Sequence, residues 1–148
     1  HGSDFYWVVP SNLFACADGW VYINTVPTFW DAMAAFLGLP ELIVDPRFAD
    51  NDLRMRNRAA LHDLIAEVFA PLTKSEIRKR ASEARVPAGV VLSFDEVLQD
   101  EHLAERGFWQ AVSDPTGQSY RMPGLGFCID RAVRRPMALH SVETGQRS

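Results

Sequence analysis

The sequence has few of the features that mark the more easily recognised protein classes. Its two cysteines, Cys16 and Cys128, lie far apart, and neither belongs to a Cys-x-x-Cys pair, so no disulfide framework is indicated. No apolar run approaches the roughly 20 residues of a membrane-spanning helix. Basic residues number 15 against 19 acidic ones, which argues against a nucleic-acid-binding surface. We expect a cytoplasmic protein with two buried thiols and with neither a nucleic-acid nor a membrane partner.

The common catalytic motifs are missing as well. There is no His-Glu-x-x-His pair, no Gly-x-Ser-x-Gly turn and no glycine-rich phosphate loop. His62 and His102 stand apart from other candidate ligands, and we interpret His62 as a surface or boundary residue of a helix. We therefore expect no metal ion and nominate no catalytic residue.

What the chain does contain predicts an α+β fold. Its 148 residues, 47% of them apolar, are enough for one domain. Pairs of β-prone runs flank a turn at Asp18 and Gly19 and another over residues 114–117, so both regions are predicted to be hairpins. Val21 and Ile23 should share the buried face of the first hairpin. The expected architecture is a small antiparallel sheet, formed by hairpins, packed with several amphipathic helices.

Periodicity and capping signals predict the helices. Residues 25–38 should form one, with Pro27 in its first turn and Gly38 as its stop. The best helical periodicity lies between residues 53 and 69. Capping boxes at residues 73–76 and 93–96 should open two more helices, and another should follow over residues 100–106. The predicted apolar faces comprise Phe29, Trp30, Met33, Phe36 and Leu37 in the first helix, and Leu61, Leu64, Ile65, Val68 and Phe69 in the second.

The stretch from Ala84 to Val91 joins these helices to the rest of the chain. Pro87 ends the preceding helix by removing a backbone donor and restricting the residue before it. Gly89 should permit close backbone approach. Residues 90–92 are predicted to form a small buried strand.

Three arginines, Arg54, Arg56 and Arg58, lie close together near a helix start. The simpler interpretation, which we favour, is a solvated face that pairs with Asp50 and Asp52. The alternative is an anion site for a phosphate-bearing cofactor.

An aromatic cluster, Phe5, Tyr6 and Trp7, precedes the first hairpin. From the residues alone we favour packing against that hairpin, since aromatic side chains are large apolar anchors. The alternative is a loop that shapes an apolar ligand pocket.

Beyond these elements, a series of short motifs resembles the family III CoA-transferases, the carnitine-dehydratase/bile-acid-inducible group. The first hairpin, Phe14 to Ile23, resembles the segment with which the family's small domain begins. The family's other motifs follow in the same order, so that the resemblance covers about residues 10–125. The matching motifs are Leu37-Gly38-Leu39-Pro40-Glu41-Leu42, Asp45-Pro46-Arg47-Phe48, Arg54-Met55-Arg56-Asn57-Arg58, Ala84 to Val91 and Pro115 to Pro123.

The resemblance implies that residues 10–125 are the small domain of a larger enzyme. Residues 1–9 and 126–148 would connect it to a large domain that is absent from this sequence, and the basic trio Arg131, Arg134 and Arg135 would belong to a tail that needs a partner surface. The intact enzyme would be a homodimer. Its substrate would be a coenzyme A thioester, with no metal.

The implied reaction moves CoA between carboxylic acids through an aspartyl thioester. No aspartate here lies in the matching motif, so the fragment alone is expected to be inactive. Phe5, Tyr6 and Trp7 replace the glycine-rich loop of the formyl-CoA and oxalate members, and would face a larger acyl group. An acyl-CoA racemase or dehydratase-like member is an alternative, although Val26 stands where racemases carry glutamate. A non-catalytic module that binds acyl-CoA or a protein is another.

Overall fold

A computed structural model of the chain describes residues 5–124, which form two compact units, one ending at Val91 and the other starting at Leu92. The elements of the first unit are β1 (Ser11–Cys16), β2 (Gly19–Asn24), α1 (Trp30–Leu37), α2 (Asn51–Arg56), α3 (Arg58–Phe69), α4 (Lys74–Ala84) and β3 (Ala88–Val91), with 3-10 turns at Pro27–Phe29 and Pro40–Ile43. Those of the second are α5 (Phe94–Leu98), α6 (Glu101–Glu105), β4 (Trp109–Ser113) and β5 (Ser119–Pro123). The predicted α+β class is confirmed. The basic trio of the tail and Cys128 lie outside the described residues.

The first unit is organised around an antiparallel sheet with the order β1-β2-β3. Val21 and Ile23 of the central strand are fully buried on one face, as the alternation predicts. Helices α1, α3 and α4 supply most of the remaining core, which also contains Val9, Leu42, Phe48 and Val86. The buried apolar side chains of these helices are Trp30, Met33, Ala34, Phe36, Leu37, Leu61, Ile65, Phe69, Ile77 and Ala81.

The third strand differs from its prediction. Within the described residues β3 pairs with β2 alone, and Val91 is 45% exposed, so the expectation of a buried strand is wrong. A short apolar run looks the same in a buried strand and in an edge strand with one covered face. A Cβ placed on Gly89 would meet nothing within 4 Å, so this glycine serves no close backbone approach.

The helix expected over residues 25–38 begins later than predicted. A 3-10 turn at Pro27–Phe29 precedes α1, and because its geometry changes the phase of the side chains, Phe29 is 42% exposed rather than buried. The predicted stop is confirmed, since Gly38 is the C-cap with a φ of 72°.

Replacing Gly38 by alanine is expected to lower the free energy of unfolding by about 1 kcal/mol, because an L side chain is strained in the left-handed region. No steric clash adds to this cost, since a Cβ at Gly38 would meet nothing within 4 Å. The matched control is Gly89→Ala, which is equally unobstructed but lacks a positive φ. Urea unfolding should show a clear loss for the first variant and little change for the second; equal losses would contradict the left-handed cap as the cause.

The periodicity predicted between residues 53 and 69 is confirmed, with a division into α2 and α3 at Asn57. Leu61, Ile65 and Phe69 are buried, and Leu64 and Val68 are partly buried against the core. Both predicted capping boxes form, at the starts of α4 and α5. At α4 the pKa of the Glu76 carboxyl lies below its usual range. The main cause is the hydrogen bond that the backbone N–H of Thr73 donates to it, and the hydroxyl of Thr73 donates a second.

The second unit contains the predicted hairpin. Strands β4 and β5 pair antiparallel, and Asp114 closes the turn by accepting hydrogen bonds from Thr116 and Gln118. The helix predicted over residues 100–106 is present as α6, and its N-cap is Asp100, whose side chain accepts from the backbone N–H of Leu103. None of the helices within residues 5–124 combines the length and apolar character that crossing a membrane requires.

Candidate functional site

The three aromatic residues that precede β1, which we call the aromatic segment (Phe5–Trp7), lie on the surface. Their exposed fractions are 52% for Phe5, 62% for Tyr6 and 77% for Trp7. The favoured expectation that they pack against the hairpin is therefore wrong. Val9, which is 2% exposed, enters the core instead. The structure thus presents three large apolar side chains to solvent on a stretch without regular secondary structure.

Side-chain and backbone hydrogen bonds hold the backbone around this segment. Asn51 Nδ2 donates to the carbonyl oxygen of Trp7 (2.9 Å), and Asn51 Oδ1 accepts from the N–H of Val9 (3.3 Å). The N–H of Phe5 donates to the carbonyl of Ser11 (3.2 Å). Pro10 follows Val9 through a cis peptide bond, and its carbonyl accepts from the N–H of Thr25 (3.0 Å). The aromatic segment is therefore tied to β1 and to α2, and Pro10, which follows it, is tied to the residue after β2.

Sequence reasoning did not find the role of Asn51. It is the first residue of α2, directly after Asp50, whose side chain caps the helix by accepting from the N–H of Leu53 (2.7 Å). An Asp-Asn pair at a helix start is explained by capping alone. The partners of Asn51 lie 42 and 44 residues away, and no local pattern indicates such a contact.

The arginine group divides into three different environments. Arg54 is only 2% exposed, Arg58 is partly buried and Arg56 is exposed. Arg54 Nη1 donates to the carbonyl of Phe48 (2.7 Å), and its guanidinium lies 4.4 Å from the ring centroid of Trp30. Burial lowers its pKa from the ordinary arginine value. The expectation of a solvated face is therefore wrong for Arg54, which also has almost no surface to offer an anion.

Two of the motifs that carry the family resemblance hold each other in place. In the turn over residues 45–48, Arg47 forms an ion pair with Asp45 (2.7 Å), which holds the pKa of that carboxyl below its usual range. Phe48 is fully buried. Arg54 donates to the carbonyl of Phe48, and Asn57 Nδ2 donates to that of Arg47 (3.0 Å). Hydrogen bonds from Arg54 and Asn57 therefore connect these two motifs.

The sheet of the first unit also has an exposed apolar face. Its exposed large side chains are Leu13 (37%), Trp20 (53%) and Val91 (45%). The register places Trp20 between Ala15 of β1 and Val91 of β3. A continuous apolar face of this kind commonly marks a surface that another structure covers.

The remaining candidates carry no evident chemistry. His62 is partly buried, with its ring edge on Phe14 at a centroid distance of 5.3 Å, so its prediction as a boundary residue is confirmed. Cys16 is a partly exposed free thiol that donates to Asp18 Oδ1 (3.5 Å), and the expectation that it is buried is wrong. Within residues 5–124 no group of three or more His, Cys, Asp and Glu side chains could hold a metal ion.

The hairpin of the second unit bears an open groove of about 410 Å³. Its lining residues are Trp109, Gln110, Ala111, Ser119, Tyr120 and Arg121. Arg121 Nη1 donates to the carbonyl of Leu98 (3.0 Å).

Comparison with known proteins identifies the family. The model of CoA-transferase family III matches residues 1–140. The chain belongs to this family. Its resemblance, drawn first from short motifs, is thereby confirmed.

Relatives of known activity transfer CoA between different acids. The chain is 37% identical over 110 residues to succinyl-CoA–D-citramalate CoA-transferase of Chloroflexus aurantiacus, an alignment that covers 73% of this chain and 27% of that protein. It is 30% identical over 104 residues to formyl-CoA:oxalate CoA-transferase of Streptomyces avermitilis, covering 68% of this chain and 25% of that protein. The chain thus spans about a quarter of the length of these relatives.

Solved structures support the same fold. A CAIB/BAIF family protein from Brucella suis superposes with a TM-score of 0.74 and 26% identity, covering 88% of this chain and 34% of that one. A Mycobacterium tuberculosis protein at 23% identity has the same TM-score and shows the fold alone. In both cases the described fold corresponds to one part of a larger chain.

Proposed function

We propose that this chain is the small domain of an acyl-CoA transferase that moves CoA from one carboxylic acid to another. The observation that carries the proposal is the family match over residues 1–140, together with relatives that transfer CoA to or from citramalate and oxalate. A family whose members accept such different acids supports the reaction class rather than one substrate.

The proposed reaction runs through an aspartate of the large domain. Its carboxylate attacks the acyl-CoA carbonyl, which forms a mixed anhydride and releases the CoA thiolate. The thiolate then attacks the aspartyl carbonyl, which forms the aspartyl-CoA thioester and releases the first acid. The incoming carboxylate repeats these two steps in reverse order, leaving with CoA and restoring the aspartate. Covalent catalysis thus divides one difficult exchange into easier steps.

In this proposal the small domain supplies surfaces rather than the nucleophile. The aromatic segment would form an apolar cover over the acyl group, since Trp7, at 77% exposure, has most of its surface available to bury. The exposed face of the sheet around Trp20 would lie against the rest of the parent chain or a second copy in a homodimer. The chain's share of its relatives, 27% and 25%, supports a separate large domain.

The racemase alternative finds no support at the position where that branch carries glutamate. Val26 occupies it and is 41% exposed, and a valine cannot take up or release the α-proton of an acyl-CoA.

The test is a CoA-transfer assay on the full-length product of the gene that encodes this sequence. The purified enzyme would be incubated with acyl-CoA donors of increasing chain length and with isotopically labelled free acids. We expect the label to appear in a new CoA thioester, and a CoA adduct to appear on the protein. Binding without transfer would indicate a non-catalytic module, and exchange of the α-proton in D₂O without transfer would indicate a racemase.

Replacing Trp7 by glycine in the intact enzyme is expected to shift its preference toward smaller acyl groups. Removing a large apolar contact should lower kcat/KM for a long acyl-CoA by about tenfold while leaving acetyl-CoA nearly unchanged. Phe94→Ala serves as the control, because Phe94 is 91% exposed at the start of α5. Unchanged chain-length preference in the Trp7 variant would contradict an acyl-facing role for the aromatic segment.

A further inference from the structure

We propose that Asn51 is a positioning residue that sets the enzyme's preference for the acyl group by fixing the aromatic segment. This inference rests on the proposed function, and it concerns a residue that does not itself touch the substrate. Three large aromatic side chains lie on a stretch without regular secondary structure, where their exposed fractions reach 77%.

The Asn51 amide makes two contacts of opposite polarity to this stretch. Its Nδ2 donates to the carbonyl of Trp7, and its Oδ1 accepts from the N–H of Val9. The two contacts bracket residue 8 and therefore fix the backbone on the side of the segment nearest to β1. The side-chain amide of asparagine supplies both a donor and an acceptor, whereas the carboxylate of aspartate, a side chain of the same length, supplies acceptors alone.

The element that carries Asn51 is itself well anchored. Asp50 caps α2, and Arg54, one turn further on, donates to the carbonyl of Phe48 and lies over the ring of Trp30. A surface fixed before binding loses less conformational entropy when a ligand covers it. Such precision is best obtained when the supporting side chain comes from a rigid element. Asn51 therefore links an anchored helix to an exposed apolar surface.

A role in the helix alone does not explain these contacts. Both Asn51 contacts point away from α2 to residues 7 and 9, while the cap itself is supplied by Asp50. Aspartate at the first helical position would be favoured by the helix dipole. Asn51→Asp therefore separates two roles: it suits the helix, but it sets a carboxylate oxygen against the carbonyl of Trp7.

Asn57 provides a matched control. It lies at the other end of α2, and its Nδ2 also donates to backbone carbonyls, those of Arg47 (3.0 Å) and Leu53 (2.9 Å). Asn57→Asp makes the same chemical change and removes comparable hydrogen bonds. Its contacts stabilise the turn over residues 45–48 rather than the aromatic segment.

The experiment compares both variants in the full-length enzyme, using one long and one short acyl-CoA as donors. We expect Asn51→Asp to lower kcat/KM for the long donor by about tenfold, mainly through KM, because uniform binding is what is lost. The short donor should be nearly unaffected. Asn57→Asp should change both donors by the same factor. An Asn51 variant that matches Asn57→Asp in its ratio between donors would overturn the inference.

A second measurement keeps the inference testable if the aspartate variant does not fold. Asn51→Ala and Trp7→Gly would be made singly and together, and their effects on the ratio between the two donors compared. If Asn51 acts through the aromatic segment, the double variant should resemble Trp7→Gly alone. Additive effects would overturn the inference. Failure of the wild-type enzyme to transfer CoA would instead overturn the proposed function.

Discussion

Replacing Arg54 by alanine is expected to lower the free energy of unfolding by about 3 kcal/mol, measured by urea unfolding. Three losses contribute: the hydrogen bond to the buried carbonyl of Phe48, the cation–π contact with Trp30, and the volume of a side chain that is 2% exposed. A buried carbonyl left without a donor costs about 1–3 kcal/mol. A desolvated cation–π contact contributes about 2 kcal/mol. Because the surrounding residues relax and recover part of the lost free energy, the expected loss is smaller than the sum of these contributions.

Arg56 offers a control on the same helix. It is exposed, so Arg56→Ala should change the free energy of unfolding by about 0.5 kcal/mol or less. Arg54→Lys should recover only part of the stability, since an ammonium cannot reproduce the stacking of a planar guanidinium. Equal effects of the two alanine variants would contradict a buried structural role for Arg54 and would return it to the exposed charged face expected from the sequence.

Replacing Phe69 by alanine is expected to cost about 4 kcal/mol of unfolding free energy. Phe69 is 1% exposed, and its ring lies 5.9 Å from that of Phe14 in β1 and 5.8 Å from that of Phe36 in α1. The side chain therefore connects its own helix, α3, with both the sheet and α1. Its removal leaves a large cavity that the surrounding aromatic rings cannot easily fill, so both the transfer and the cavity contributions apply.

The control is Phe29, which the sequence pattern assigns to the buried face of a helix but which the structure shows to be exposed. Phe29 is 42% exposed in the 3-10 turn before α1, so Phe29→Ala should cost about 1 kcal/mol or less. Thermal or urea unfolding of the two variants side by side measures the difference. If Phe29→Ala proved as costly as Phe69→Ala, the placement of these two aromatic side chains would be wrong.

Much of the fold follows from local signals in the sequence. The first hairpin, the two capping boxes and the glycine stop after α1 depend on residues that are neighbours in the chain: Asp18 with Gly19, Thr73 with Glu76, and Leu37 with Gly38. Their geometry is fixed by short-range hydrogen bonds and by backbone sterics. The structure confirms each of them.

The candidate site depends on contacts that no local pattern reveals. A charge run is usually solvated, so burial of Arg54 under Trp30 depends on a packing arrangement across 24 residues of sequence. Likewise, an aromatic cluster is usually buried. The aromatic segment stays outside because Val9 enters the core and Asn51 holds the backbone from the other side. Both features were resolved only by tertiary structure.

Two of the motifs that carry the family resemblance contact each other in the folded chain. Arg54 and Asn57, in the arginine-rich segment that joins α2 to α3, donate hydrogen bonds to backbone carbonyls of the turn over residues 45–48. Packing contacts of this kind are sufficient for these segments to carry a recognisable family pattern. Differences among members that accept different acids are then expected at exposed side chains such as those of the aromatic segment, which are not packed in the core.

The central claim, that this chain is one domain of a larger transferase, is tested most directly by the mass of the native gene product. The 110 aligned residues make up 27% of the Chloroflexus relative, which is therefore about 400 residues long. An antibody raised against this chain, used on an extract of the source cells, should detect a species more than twice 16.6 kDa. A native product near 16.6 kDa would contradict the claim and leave a binding module.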